Sequence, residues 1–125
     1  MRQPQWTIYE AAILLEGYLE WKDNHMPKQR IVKNISCDLR QMAINAGAVI
    51  DDVYRNENGI SYQMQSIDSA YVGHKVYVPA TKLFTTIVDI YRTDTQRYER
   101  ILKEAKNLIS LDKSNKEAFM IWVAS

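Results

Sequence analysis

Thr7-Ile8-Tyr9-Glu10-Ala11-Ala12-Ile13-Leu14-Leu15-Glu16-Gly17-Tyr18-Leu19 is the stretch whose reading decides the fold. Thr7 followed three residues later by Glu10 is a capping-box pattern, which satisfies free amides at a helix start, and Trp6 stands just outside it as a hydrophobic staple. Ile8, Ala11, Ala12, Leu15, Tyr18 and Leu19 then recur at helical spacing, so a first helix is expected from Thr7 to Asp23, with Trp21 closing its end against the core. The break Asn24-His25-Met26-Pro27 follows, because proline turns the preceding residue away from helical geometry.

The same period returns downstream. Ile31, Ile35, Leu39, Met42, Ala43 and Ala46 mark a second helix from Lys28, and Gly47 suits the left-handed residue that ends it. Asp51 and Asp52 suit a turn, after which Asn56 or Asn58 caps a third helix that turns Ile60, Met64 and Ile67 inward. Residues 68–78 read as a loop. Pro79 fits the first turn of a fourth helix carrying Leu83, Phe84, Ile87, Val88 and Tyr91. Thr93 or Asp94 restarts the count for a fifth, and Ser114 with Glu117 repeats the capping box before Phe119, Met120, Trp122 and Val123. The expectation is an all-α orthogonal bundle of about six helices around one or two adjoining clusters. Residues 1–125 form one domain, with a three-helix recognition subbundle over 7–70 and a C-terminal helical subbundle over 79–124. The aromatic face of the last helix is unfinished at Ser125, which points to a piece of a larger protein.

Composition narrows the function. Hydrophobic residues are 46% and charged residues 25% of the chain, enough to build a core and too apolar for a disordered chain. Apolar runs such as Ala11 to Leu15 fall far short of the roughly 20 residues that cross a bilayer, and no signal peptide precedes the first helix. The lone Cys37, read as a buried thiol, fits a reducing cytoplasm. A net charge of +1 supplies no global field for a polyanion, so nucleic-acid binding has to come from a local patch.

Catalytic and metal sites are not expected, nor is a small-molecule cofactor. His25 and His74 stand in separate loops without a Cys or carboxylate at ligand spacing. Asp51 and Asp52 diverge as neighbours, and no Gly-rich phosphate loop or nucleophile motif occurs. The informative segment is Tyr54 to Gln65. It sets Arg55, Asn56 and Asn58 at a helix start and Ser61, Gln63 and Gln65 on faces the core does not need. Arg, Asn and Gln make paired hydrogen bonds to guanine and adenine edges, and a helix N-terminus attracts phosphate. Lys28, Arg30, Lys33 and Arg40 on the second helix are the matching phosphate contacts. The competing structural reading makes Asn56 and Asn58 caps and pairs Arg55 with Asp51 or Asp52.

Trp6-Thr7 before an acidic first helix, Ile35-Ser36-Cys37-Asp38-Leu39-Arg40 in the second, and Tyr54-Arg55-Asn56-Glu57-Asn58-Gly59-Ile60 before the third resemble a helical domain at the front of large bacterial proteins. Some of those look like restriction or phage-defence proteins, including ones with an HNH nuclease elsewhere in the chain. The order is also similar to the three-helix Myb/SANT arrangement, a helix-turn-helix type whose third helix reads DNA. The resemblance implies a non-catalytic, DNA-binding module of a bacterial defence or regulatory protein. The alternative is a protein interaction or assembly domain using Tyr62, Tyr71, Tyr77 and Trp122, because aromatic side chains suit interface centres.

Overall fold

The computed structural model describes residues 4–110, and among them five helices and no strand are found. They are α1 (Ile8–Lys22), α2 (Lys28–Asn45), α3 (Glu57–Val72), α4 (Lys82–Thr93) and α5 (Thr95–Ile109). The all-α expectation is met in this coarse form. The helix expected from Ser114, and with it Trp122, lies outside the described residues.

α1 starts as its sequence dictates. The Thr7 hydroxyl accepts from the Glu10 amide at 3.3 Å and the Glu10 carboxylate accepts from the Thr7 amide at 3.0 Å, so both halves of the capping box form. Asn56 caps α3 by accepting from the Gly59 amide at 2.8 Å, and Asp94 caps α5 through the Arg97 amide. Gly47 and Gly73 sit at φ of 90° and 88°, a conformation glycine adopts without the steric cost other residues meet.

α1 is buried on nearly all sides, from Glu10 through Leu15 and again at Gly17 and Tyr18, because it packs against each of the other four helices. Leu14, Leu15, Ile31, Leu39, Ile60, Met64, Ile67, Phe84, Ile87 and Val88 join it in one cluster. Among the described residues α1 makes this cluster continuous. Fully burying side chains of this size contributes about 1.5–3 kcal/mol each against leaving them exposed. Tyr98 adds a polar tie, its buried hydroxyl donating to the Ala12 carbonyl at 3.0 Å.

Three local expectations are corrected. Residues 68–72 belong to α3 rather than to a loop, because Tyr71 packs on the Tyr18 ring at 5.4 Å and the helix runs on to Gly73. Pro79 precedes α4 instead of opening it: Thr81 supplies the cap by accepting from the Phe84 amide at 3.1 Å. Cys37 is exposed, since Ile35, Ser36 and Leu39 take the inward face and the residue between them points out.

The α1–α2 seam is close at Gly17, where an added Cβ would stand 2.5 Å from Ile35 Cδ1 and 3.0 Å from Ile31 Cγ2. Beside it, Glu16, Glu20 and Asp38 line a shallow cleft. Burial first and the neighbouring Glu16 carboxylate second raise the Asp38 pKa, with Lys106 opposing. A carboxyl with a raised folded pKa binds its proton more tightly when folded, so stability falls as pH rises through the window above the ordinary aspartate value. Asp38→Asn is expected to raise the urea midpoint at neutral pH, and the gain is expected to vanish below about pH 4, where both states are protonated. Paired unfolding curves at the two pH values check it.

Candidate interaction site

The predicted reading edge divides into an inward and several outward parts. Arg55, expected to face outward, is 3% exposed. Its Nε donates to Glu10 Oε2 at 2.7 Å and its Nη2 to Glu10 Oε1 at 3.3 Å and to the Pro4 carbonyl at 2.9 Å. The guanidinium lies 5.0 Å from the Trp6 ring centre and 4.7 Å from that of Tyr54. The physical reason is the carboxylate at Glu10: held by the helix cap with its side chain 6% exposed, it needs a buried cation, and a planar guanidinium answers it in two-point fashion. The pairing with Asp51 or Asp52 is likewise corrected. Asp51 Oδ1 instead accepts the Val53 and Tyr54 amides at 3.2 and 2.9 Å, closing the turn that carries Arg55.

Arg55 also has φ of 46°, the left-handed region that side chains other than glycine rarely enter. Its carbonyl accepts from the buried Ser36 hydroxyl at 2.7 Å. Backbone strain of this kind persists where surrounding contacts over-determine the position.

The other predicted nucleic-acid residues have varied surroundings. Asn56 is occupied as the α3 cap, Asn58 is exposed, and Ser61 is half-buried. Gln63 lines a cleft with Gln5, Trp6, Thr81 and Phe84, whereas Gln65 lines a different one with Trp21, Met64, Asp68 and Tyr77. Among the expected phosphate contacts, Arg30 and Lys33 are exposed. Lys28 rests over the Trp21 ring at 5.4 Å from its centre, and Arg40 donates to the Asp51 and Tyr54 carbonyls at 2.9 and 2.6 Å.

A different arrangement comes together around Tyr77. The serines at 66 and 69, each 1% exposed, project from the core side of α3 and hold the loop that returns toward α4. The Ser66 hydroxyl donates to the Pro79 carbonyl at 2.8 Å and the Ser69 hydroxyl to the Val78 carbonyl at 2.6 Å, while Ser69 Oγ accepts the Val76 amide at 3.0 Å. These bonds fix the loop on both sides of Tyr77, which stands 78% exposed over the cleft lined by Trp21, Lys28, Gln65 and Asp68. Tyr62, 55% exposed, lies one helical turn before Gln65. Tyr71 is half-buried: Lys22 and Arg92 lie 5.5 and 4.5 Å from its ring centre. The loop clamp escaped the sequence reading, although its signal was present as two serines three residues apart on the apolar face of a helix, where only a bonded hydroxyl is tolerated.

The chain matches no protein-family model, no curated protein and no solved structure. No helix among the described residues is long and apolar enough to cross a membrane.

Proposed function

We propose that this chain is a non-catalytic protein-interaction module whose partner face is the α3 surface and the clamped loop bearing Tyr77. The observation that carries the reading is the exchange at the third helix: the one cation of that segment turns inward, and two tyrosines, one on a loop immobilised by buried serines, face solvent. A tyrosine held in place before contact loses little conformational freedom on binding. The partner is a protein segment that inserts an apolar side chain beside Trp21 and Tyr77 while bonding to Gln65. Placement within a larger bacterial defence or regulatory protein in the cytoplasm rests on the sequence resemblance and on the single Cys37.

Site-specific photo-crosslinking in cells tests this. With benzoylphenylalanine in place of Tyr62 or Tyr77, one and the same protein is expected to be captured from both positions. None is expected from the α5 site Gln96, and Gln65→Arg is expected to abolish capture at position 77. Nucleic-acid adducts at these sites, or no adduct at either, would overturn the proposal.

A further inference from the structure

A groove of about 360 Å³ lies between the second half of α1, the end of α4 and the start of α5. Half-buried Leu19, Tyr91 and Leu102 form its apolar floor, and the Tyr91 ring is fixed edge to face on that of buried Tyr98 with centres 5.2 Å apart. Its rim is acidic, made by Glu16 and Glu20 of α1, Asp23 at the α1 C-cap and Glu99 of α5. Of the lining residues only His25 can carry a positive charge.

The rim carboxylates are largely unanswered. Glu16 accepts from Lys106 Nζ at 2.7 Å in an exposed pair, whereas Glu20, Asp23 and Glu99 have no ion-pair partner among the described residues. The cations that close the two helices are turned elsewhere: Lys22 in the last turn of α1 and Arg92 in that of α4 lie 5.5 and 4.5 Å from the Tyr71 ring centre. Glu20 and Asp23 therefore stand at the negative end of α1, where a cation is favoured. The negative field is felt on both sides of α1, since after burial the Glu16 carboxylate raises the pKa of Asp38 and of Tyr98.

We propose that this groove docks a basic segment of a partner protein, the stem of an arginine or lysine lying on Leu19, Tyr91 and Leu102 and its charged head meeting Glu20, Asp23 and Glu99. Long cationic side chains bury their methylenes on apolar surface while the head keeps polar company, and a guanidinium also stacks on a tyrosine face. Carboxylates gathered without counter-charges repel one another until a cation arrives, which selects a basic partner and speeds its encounter. The inference goes beyond the proposed function, whose face lies on α3.

The test uses the full chain and a fluorescein-labelled peptide of alternating arginine and leucine. Binding is expected to weaken as salt is raised, and the peptide is expected to shift the Leu19 and Leu102 methyl NMR signals of the parent chain. Glu20→Lys with Glu99→Lys is expected to lower affinity on the order of tenfold. Asp52→Lys with Asp89→Lys changes net charge equally away from the groove and is expected to leave affinity within about twofold. Both double variants are expected to keep Tm within about 3 °C of the parent, because neither removes an ion pair. Methyl shifts elsewhere, no binding, equal losses in the two double variants, or displacement of the peptide by an equal concentration of spermidine would each overturn the proposal. None of these outcomes bears on crosslinking at positions 62 and 77.

Discussion

Arg55→Ala is expected to destabilise the protein by about 3–5 kcal/mol, the range for breaking a buried pair by removing one partner. The reason is the residue left behind. Glu10 has a side chain 6% exposed, and without Arg55 its buried carboxylate keeps, among the described residues, only the Thr7 amide as a partner. The Pro4 carbonyl loses its donor as well. Arg55→Lys is expected to recover only part of the loss, since a single ammonium cannot make the two-point contact or stack between Trp6 and Tyr54. Removing both charges with Glu10→Gln and Arg55→Met is expected to cost less than Arg55→Ala alone, because no unpaired ion remains. Urea unfolding of the three variants measures this. The exposed Arg30→Ala serves as the comparison and is expected to stay within about 0.5 kcal/mol of the parent.

Phe84→Ala is the second large effect, expected to cost about 3–5 kcal/mol. Phe84 is 1% exposed on α4, and its ring meets Trp6 edge to face with centres 5.7 Å apart. Trp6 therefore bridges Phe84 on one side and the Arg55 guanidinium on the other. Once Trp6 loses either neighbour its hold on the other weakens. The double variant Phe84→Ala with Arg55→Ala is thus expected to lose less than the sum of the two single losses. Thermal and urea unfolding of the cycle give the coupling directly.

Where the helices lie was legible from local rules alone. Thr7 with Glu10, Asn56, Asp94 and Gly47 each do the capping work their residue types imply, because a cap depends on neighbours within four residues. The site was much less legible, since its deciding contacts join residues distant in sequence. Glu10 meets Arg55 across 45 positions, and neither residue's own neighbourhood signals the other. The helical wheel placed Gln63 and Gln65 off the core correctly, yet each faces its own cleft, and only the packing of α1 and α4 against α3 decides which. Lys28 and Arg40 show the same limit. Both read as surface cations, and both find a ring or a pair of carbonyls once the chain is folded.

The inward turn of Arg55 is the claim on which the choice of a protein partner over nucleic acid depends. Nitrogen-15 NMR of the Arg55 Nε–Hε group, followed while duplex DNA is added at low salt, addresses it most directly. A resolved signal, protected from solvent exchange and unmoved by DNA, is the predicted result. An Hε that exchanges like that of a solvated arginine and shifts as DNA is added would contradict it.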